Sequence, residues 1–258
     1  MKALELYKLL PMKNCGECKQ KLCMPFAFAV TKGEADISDC TLMNAEEIAQ
    51  IRNKLVISDW RENLIAKLKE DMSNVKFTEV AEGIGGVVHG ESLILKCLGR
   101  EFSISPKGEI YTSGHINPWE KIFLLNYIKN AGKDDLTNRW VSFSALNDGM
   151  LKSSTFEREC EEPLNNLFNK SMEKTTQILQ KLGALKQDGF ATEHAWVIFL
   201  LPKIPVLILY WQAEDDIPSQ TKILFDPTAD RFLDVESLLF LAEGLVTNIE
   251  NSLRQDPI

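Results

Sequence analysis

The sequence predicts an α+β fold in two parts, a small cysteine-rich N-terminal domain and a larger domain that combines helices with a mixed or antiparallel sheet. Three observations support this prediction. Four of the six cysteines fall within residues 15–40, apolar residues recur at helical spacing in several segments, and short apolar alternations punctuated by glycine fill residues 83–113. We place the small domain at residues 1–44, a helical linker at 45–75 and the larger domain at 76–258.

The cysteine segment comes first in the chain. Cys15 and Cys18 are separated by two residues, Cys23 follows after four more, and Cys40 closes the set after a further sixteen. Four soft sulfur ligands in one short segment are typical of an iron–sulfur cluster or of zinc. Cys97 and Cys160 lie apart from this segment, and we expect each to be a plain thiol.

The spacing of the cysteines partly distinguishes an iron–sulfur cluster from zinc. A cubane cluster needs four sulfurs turned toward one compact body, and a two-residue gap lets Cys15 and Cys18 do so from one tight turn at Gly16. Zinc ligands usually come as two close pairs, whereas sixteen residues split the second pair here and no histidine is near. The spacing favours the cluster and leaves zinc open.

A helix is predicted directly after Cys23. Pro25 suits the first turn of a helix that runs through Val30, and Gly33 is a suitable residue to end it. The chain then returns to deliver Cys40. A second helical stretch, from Ala45 to Asp71, has a cap near Ser58-Asp59 and apolar residues at helical spacing: Ile48, Ile51, Leu55, Trp60, Leu64 and Leu68.

The cysteine segment resembles the small four-cysteine [4Fe–4S] domain of the corrinoid iron–sulfur protein large subunit, and a similar domain of the B subunit of membrane ferredoxin-oxidising complexes. The resemblance covers residues 5–42. It rests on the run from Leu9 to Cys18, on Cys23 followed by Phe26-Ala27, on Gly33-Glu34-Ala35 and on Cys40. The resemblance implies that the four cysteines hold a low-potential [4Fe–4S] cluster, which in the first relative re-reduces a cobalt corrinoid.

One departure from this family concerns the loop between the second and third cysteines. The related domains commonly have a glycine and a proline there, where this chain has Lys19-Gln20-Lys21-Leu22. The change is expected to alter loop stiffness and the hydrogen bonds to sulfur, and with them the cluster potential, without removing a ligand.

The larger domain is predicted to contain a sheet assembled from distant segments, with helices between them. An antiparallel meander is predicted between Gly83 and Ser113, and a helix is predicted from Pro118 to about Ile128. A helical region at 155–182, interrupted near 169–171, precedes strands at 195–201, 206–211 and 223–225, and a last helix spans 234 to about 253.

Residues 60–250 resemble an uncharacterised domain family that accompanies such cluster domains in anaerobic bacteria and archaea. The phrases that carry this resemblance are mostly apolar framework residues, so they indicate a fold without naming a reaction: Leu125-Asn126-Tyr127-Ile128, Trp140-Val141-Ser142-Phe143, Pro163-Leu164, Leu201-Pro202-Lys203-Ile204-Pro205 and Ile223-Leu224-Phe225-Asp226.

Familiar catalytic and nucleotide motifs are missing from this part of the chain. Residues 83–88 do not satisfy the dinucleotide fingerprint, no phosphate loop occurs, and the Asp-x-His-x-x-Gly corrinoid motif is absent. Three histidines remain as candidates, His89, His115 and His194. We prefer His115 as a cofactor ligand because loops at a helix start commonly hold ligands. The four tryptophans of this part are expected in the core, and Glu214-Asp215-Asp216 is expected at a hairpin tip.

The charge and the apolar runs of the chain indicate its binding partners and its cellular location. The whole chain of 258 residues carries a net charge of −8, which argues against a nucleic-acid partner. Residues 1–33 hold six lysines against two glutamates, a local charge of +4 that suits an acidic redox partner such as ferredoxin or flavodoxin. No apolar run reaches 18 residues and the first five residues do not resemble a signal peptide, so we expect a cytoplasmic protein with no membrane span.

Two functions follow from these observations. The first is an iron–sulfur redox protein that transfers single electrons and whose larger domain binds or helps to reduce a corrinoid (cobalamin). The second is an electron-transfer or assembly partner of a corrinoid protein or other anaerobic metalloenzyme, with no second cofactor. A catalyst with its own substrate is a weaker interpretation because no acid–base or nucleophile constellation stands out.

Overall fold

The architecture is α+β, as predicted, in a computed structural model that describes residues 3–54, 60–131 and 134–255. The helices in chain order are α1 (Ala3–Tyr7), α2 (Cys23–Thr31), α3 (Ala45–Lys54), α4 (Trp60–Met72), α5 (Phe77–Val80), α6 (Pro118–Asn130), α7 (Gly149–Phe156), α8 (Glu162–Lys170), α9 (Met172–Lys181), α10 (Ala229–Phe232) and α11 (Val235–Gln255). None of them is both long and apolar enough to span a bilayer, as judged over the described ranges.

The strands form two antiparallel sheets. They are β1 (Val87–His89), β2 (Ser92–Cys97), β3 (Arg100–Ile104), β4 (Ile110–Tyr111), β5 (Val141–Ser142), β6 (Leu185–Lys186), β7 (His194–Leu201), β8 (Ile204–Trp211) and β9 (Gln220–Phe225). The first sheet has the order β1-β2-β3-β4, which is the predicted meander, and the second has the order β5-β9-β8-β7-β6.

The chain divides into two compact units, Met1–Ala66 and Lys67–Ile258, called here the small unit and the large unit. The division falls inside α4, so the predicted linker at 45–75 is shared between them. Ile51 of α3 is buried in the core of the small unit. The predicted cap at Ser58-Asp59, and Leu55 of the predicted apolar stripe, lie outside the described residues.

The core of the small unit is built around α2. Phe26, Ala27 and Val30 of this helix are buried against Leu6 and Leu10, which come from α1 and the turn after it. The helix begins at Cys23, with Pro25 in its first turn, and the chain leaves it through Gly33, which has a left-handed φ of 74°. Proline at the start and glycine after the end are what the sequence predicts for this helix.

The central strands of the second sheet are apolar on both faces. Every residue of β8 except Trp211 is buried, and β7 and β9 flank it. These three strands are predicted by their apolar runs. The two-residue strands β5 and β6 at the edges were not predicted, because a two-residue strand leaves no periodic signal in the sequence.

The predicted helices of the large unit occur in the predicted order, and the short helices α5 and α10 were not predicted. The predicted region at 155–182 begins earlier, at Gly149, and is interrupted at Ser171, whose hydroxyl caps α9 by accepting from the Lys174 amide. Between α7 and α8 the backbone forms a π-helical segment, Glu157–Glu161. Such segments insert extra residues into a helix and shift its faces, so helical spacing does not predict them.

A tight corner precedes α7. Residues Phe143–Ala145 form a 3₁₀ turn, and the Gly149 amide donates to the Leu146 carbonyl at 2.9 Å. A Cβ atom at Gly149 would lie 1.9 Å from the Phe143 carbonyl oxygen. The Phe143 ring stacks on Phe156, with ring centroids 4.1 Å apart. Gly149 therefore allows a close backbone approach that positions an aromatic cluster.

Tyr127 of α6 ties separate segments of the large unit together. Its hydroxyl donates to the Ile84 carbonyl at 2.8 Å and accepts from the Lys203 amide at 2.9 Å. Tyr127 is fully buried. The residue belongs to one of the phrases on which the family resemblance rests, and its contacts explain that phrase as framework.

Candidate metal centre

The loop that carries the first two cysteines is tightly wound. Residues 11–22, called here the cysteine loop, contain left-handed backbone at Met12, Asn14, Gly16 and Lys21. Only glycine adopts this conformation without strain, so a loop with three other residues in it is held by its surroundings. The Lys21 amide donates to the Cys18 carbonyl at 2.8 Å, which closes a turn after Cys18.

Cys23 is the first residue of α2. Its amide donates to Oδ1 of Asn14 at 2.8 Å, so a cysteine-loop side chain satisfies one of the amides at the start of the helix. The start of a helix carries a partial positive charge that favours anions. Cys23 is therefore positioned where a thiolate, or an anionic cluster attached to it, is stabilised.

Cys40 is delivered by a capped turn. Asp36 caps the 3₁₀ turn Ile37–Asp39 by accepting from the Ser38 amide at 2.8 Å, and the Asp39 carboxylate accepts from the Asp36 amide. Arg52 of α3 pairs with Asp36 at 2.5 Å. The hydrogen bonds from the side chain and the amide of Ser38, followed by that from Arg52, lower the pKa of Asp36 to about 2. This cap fixes the path by which the chain reaches Cys40.

A hydrogen bond between Thr41 and Glu17 joins the Cys40 segment to the cysteine loop. The Thr41 hydroxyl donates to Oε2 of Glu17 across 24 residues of sequence. Glu17 lies between Cys15 and Cys18, and Thr41 follows Cys40. The bond therefore holds the two cysteine-bearing segments side by side. Sequence spacing did not predict it, because neither residue belongs to a recognisable motif.

The Cys18 thiol is influenced by the other three thiols of the segment. Burial, followed by the Cys40 and Cys15 thiols, raises the pKa of Cys18 to about 11, and Cys18 also has a side-chain hydrogen bond with Cys40. Cys23 acts in the same direction. The thiols differ in exposure, since Cys15 is exposed, Cys18 and Cys23 are half-buried and Cys40 is buried. Cys18 and Cys23 pack against the core that contains Cys40, and the ligand set of four cysteines stays a prediction.

Four thiols are the donor set of an iron–sulfur cluster or of a four-cysteine zinc site. No group of three or more His, Cys, Asp or Glu side chains is arranged to hold a metal ion in residues 3–54, 60–131 and 134–255. A thiol with a raised pKa keeps its proton near neutral pH, so metal binding at Cys18 would release that proton.

The surface around the cysteine loop is basic and partly apolar. Lys13, Lys19 and Lys21 are exposed, and none forms an ion pair with another described residue. Met12 and Leu22 of the same loop expose about half of their surface, at 48% and 52%. Glu17 is the one acidic residue of the loop against these three lysines, so the loop carries a net positive charge.

The histidines lie in the large unit and occupy different environments. His89 ends β1 and His115 precedes α6, and both are exposed. The His115 carbonyl accepts from Nη1 of Arg100 at 3.1 Å. His194 begins β7, is half-buried and lines a cavity, whereas His115 borders neither of the two cavities described below. The role predicted for His115 stays a prediction.

The larger cavity is a feature that the sequence did not predict. It has a volume of about 1000 Å³ at the end of the second sheet where β7 begins and β8 ends. We call it the aromatic cleft. It is lined by Lys186, Asp188, Gly189, Phe190, Ala191, Thr192, Glu193, His194, Trp211, Gln212, Glu214, Ile217, Pro218 and Gln220. The acidic hairpin tip predicted at 214–216 forms part of its rim.

A second, smaller cavity of about 360 Å³ lies beside the π-helical segment. Two of its acidic side chains contact Lys222, and Glu161 receives hydrogen bonds from Nζ of Lys222 at 2.7 Å and from the Ile223 amide at 3.0 Å. Glu157 lies 3.7 Å from the same Lys222. This cluster is balanced by its lysine and joins the helix to β9.

Asp226, another acidic candidate, is part of the framework. It is completely buried and accepts hydrogen bonds from Thr137, Asn138 and Thr228. Burial alone would raise the pKa of Asp226, but the hydrogen bonds from Thr228, Thr137 and Asn138 outweigh it and hold that pKa below its ordinary value. The carboxylate thus organises the end of β9. The remaining cysteines, Cys97 and Cys160, are buried free thiols.

Comparison with known families divides the chain in the same way. A family model described as "Putative Fe-S cluster" matches residues 10–42, which include all four clustered cysteines. A second model, described as "Domain of unknown function (DUF3786)", matches residues 76–248. The resemblance predicted for each part of the chain is confirmed.

The curated relatives each match a short stretch of this chain. The corrinoid/iron-sulfur protein large subunit of Moorella thermoacetica is 49% identical over 37 residues, 14% of this chain and 8% of the relative. The acetyl-CoA decarbonylase/synthase complex subunit gamma of Methanothermobacter thermautotrophicus is 36% identical over 53 residues, 20% of this chain and 12% of the relative. This chain thus spans about a tenth of the length of these relatives. No solved structure matches it.

Proposed function

This chain belongs to the DUF3786 family, and we propose that its small unit binds one [4Fe–4S] cluster through Cys15, Cys18, Cys23 and Cys40 for one-electron transfer linked to corrinoid chemistry. One observation carries the proposal: the Cys18 thiol interacts with the other three thiols, inside the segment that matches the iron–sulfur model. Thiolates are the ligands that such clusters require. The reducing cytoplasm suits them.

The surroundings of the thiols favour an anionic cluster over zinc. Cys23 lies at the positively polarised start of α2, and the exposed lysines of the cysteine loop add positive charge. The relatives that match this segment include a corrinoid/iron-sulfur protein. The spacing of the cysteines leaves zinc open as an alternative. Metal analysis of the purified protein distinguishes zinc from iron directly.

The exposure of the cysteines indicates where electrons would enter and leave the proposed cluster. A bound cluster supplies a site that accepts and releases one electron. Cys15 is exposed and Cys40 is buried against the core, so the ligand set has one face toward solvent and one toward protein. We propose that electrons cross at the Cys15 side, while the Cys40 side excludes water and anchors the cluster.

The corrinoid link rests on the names of the relatives. One is a corrinoid/iron-sulfur subunit and others belong to the acetyl-CoA decarbonylase/synthase complex. We propose that the large unit binds or helps to reduce a corrinoid, and His115 is the ligand predicted from sequence. The absence of the usual corrinoid motif means that any such site would be built from other residues.

Anaerobic purification of the full chain tests the cluster. We expect about four irons per chain, a broad absorbance shoulder at about 400 nm, and bleaching of that shoulder by dithionite as one electron is taken up. Iron, zinc and cobalt are measured on the same sample. Colourless protein that carries zinc and takes up no electron would refute the proposal.

A second candidate function is a docking partner of another redox protein, with no cofactor of its own in the large unit. The exposed lysines of the cysteine loop favour it, because a positive rim around an apolar centre of Met12 and Leu22 suits an acidic ferredoxin or flavodoxin. The protein would then deliver electrons to or from that partner without binding a corrinoid.

Charge reversal at these lysines should slow electron transfer. In a protein with Lys13→Glu, Lys19→Glu and Lys21→Glu, the stopped-flow rate of reduction by ferredoxin or flavodoxin is expected to fall about tenfold or more at low ionic strength, because the steering potential is lost. The difference should vanish at about 1 M salt, where charges are screened.

The matched control reverses three exposed lysines of the large unit, Lys107→Glu, Lys170→Glu and Lys181→Glu. The change in net charge is identical, so an equal loss of rate in the control would mean that overall charge matters and that the cysteine loop is no docking surface.

A further inference from the structure

The backbone amides that lead into α2 donate to oxygen atoms of the protein. The amides of Lys21 and Leu22 donate to backbone carbonyls three and two residues earlier in the chain, at 2.8 and 2.7 Å. The amide of Cys23 donates to Oδ1 of Asn14 at 2.8 Å. Three consecutive N–H groups, the last of them on a predicted metal ligand, therefore have an acceptor other than sulfur.

Asn14 is the side chain among these acceptors. It immediately precedes Cys15, and its φ of 46° is left-handed, a conformation that asparagine, aspartate and glycine adopt more readily than other residues. From this position its amide oxygen reaches Cys23, nine residues further along the chain. A single side chain thus links the residue before Cys15 to the first residue of α2.

The partner of an amide close to an iron–sulfur cluster affects the reduction potential of that cluster. Reduction adds negative charge to the cluster and its sulfur atoms, so an N–H group that donates to sulfur stabilises the reduced state and raises the potential. The Cys23 amide is separated from a predicted ligand sulfur only by the Cα and Cβ atoms. An amide in this position that donates to Asn14 does not stabilise the reduced state in this way.

We propose that Asn14 keeps the Cys23 amide from donating to the sulfur atoms of the cluster and thereby lowers the reduction potential. The inference rests on the proposed [4Fe–4S] cluster and adds a positioning residue that is not a ligand. Asn14 acts through Cys23 and needs no contact with the cluster. The lower potential makes the reduced cluster a stronger electron donor.

Two substitutions at Asn14 separate its hydrogen bond from its backbone conformation. Asn14→Gly keeps the left-handed backbone without strain and removes the acceptor, whereas Asn14→Asp keeps an acceptor oxygen. The full chain is reconstituted anaerobically and held at the midpoint potential of the unaltered protein, and electron paramagnetic resonance measures the reduced cluster. We expect the ratio of reduced to oxidised cluster to rise about three- to tenfold in Asn14→Gly protein, the effect of one hydrogen bond, and not to rise in Asn14→Asp protein.

The matched control removes another asparagine cap from the small unit. Asn44 accepts hydrogen bonds from the amides of Glu46 and Glu47, at 3.0 and 2.9 Å, at the start of α3. Asn44→Gly therefore weakens a helix start without changing the acceptor of the Cys23 amide. The ratio of reduced to oxidised cluster should stay unchanged in this variant. An equal rise in Asn14→Gly and Asn44→Gly protein would show that general loosening moves the potential, and would overturn the inference.

A spectroscopic measurement identifies the new partner of the freed amide. Resonance Raman bands of iron–sulfur stretching should shift more on transfer to D₂O in Asn14→Gly protein than in the unaltered protein, because an exchangeable N–H group now donates to sulfur. Colourless unaltered protein would refute the proposed cluster, and the inference would fall with it.

Other outcomes would overturn the inference alone. With four irons in every variant, an equal or lower ratio of reduced to oxidised cluster in Asn14→Gly protein contradicts it. Loss of iron from Asn14→Gly but not from Asn14→Asp protein also contradicts it, because the hydrogen bond would then assemble the site instead of setting its potential.

Discussion

Replacing Cys15 with serine is expected to lower the iron content of anaerobically reconstituted protein from about four atoms per chain to below about one, with loss of the absorbance at about 400 nm. Cys15 is exposed in the cysteine loop, so the variant loses a ligand without disturbing the core. The same loss is expected for Cys18→Ser, Cys23→Ser and Cys40→Ser. Iron analysis and the absorption spectrum measure it.

The controls are the two buried cysteines of the large unit. Cys97→Ala and Cys160→Ala should keep the full iron content, since these thiols lie outside the segment that matches the iron–sulfur model. The result for Cys40→Ser is the hardest of the four to interpret. Cys40 is only 5% exposed, so a hydroxyl there also destabilises the core. Retention of four irons by Cys15→Ser protein would remove Cys15 from the ligand set.

Gly149→Ala should strongly destabilise the large unit. The added Cβ would lie 1.9 Å from the Phe143 carbonyl oxygen, so the backbone of the 3₁₀ turn must move and the stacked Phe143 and Phe156 rings must move with it. We expect the free energy of unfolding to fall by about 3 kcal/mol or more, as for other severe backbone clashes. Urea unfolding followed by tryptophan fluorescence measures this, since four of the five tryptophans belong to the large unit.

Gly183→Ala separates steric clash from backbone strain. Gly183 has a φ of 99°, but a Cβ there would meet nothing within 4 Å. The expected cost is about 1–2 kcal/mol, from the backbone conformation alone. If both variants unfolded at the same urea concentration, the close approach at Phe143 would not be what makes Gly149 necessary.

Much of the small unit could be predicted from local sequence. Cys23, Pro25 and Gly33 stand at positions that define α2, and the four cysteines identify the candidate site by spacing alone. The Glu17–Thr41 bond and the Asp36 cap could not be predicted in the same way. They join residues through side chains that are common on any surface, and only the folded path of the chain brings Glu17 to Thr41.

In the large unit, too, elements with a local sequence signal could be predicted, whereas elements shaped by tertiary contacts could not. Long apolar strands and capped helices have periodic signals, and β7, β8 and α6 appear where the sequence predicts them. By contrast, α7 starts at the close approach of Gly149 to Phe143, and the π-helical segment contains Glu161, which pairs with Lys222 of a distant strand. Such tertiary contacts override local preference.

The aromatic cleft illustrates the same limit for cavities. His194 and Trp211 belong to different strands, and each is an ordinary strand residue when considered alone. They line one cavity because β7 and β8 are antiparallel neighbours, which brings the start of one strand beside the end of the other. Sequence reasoning therefore weighed each residue singly and preferred His115, which stands in a recognisable loop before a capped helix.

The bond between Glu17 and Thr41 bears on how firmly the small unit would keep its metal. A tether between the two segments holds the Cys40 sulfur at a high effective concentration near the other three, so a ligand that lets go has only a short distance to return. Rebinding then competes well with escape of iron to a chelator. In the proposed site the tether would make the four thiols act as one polydentate chelate, which would lose its metal slowly.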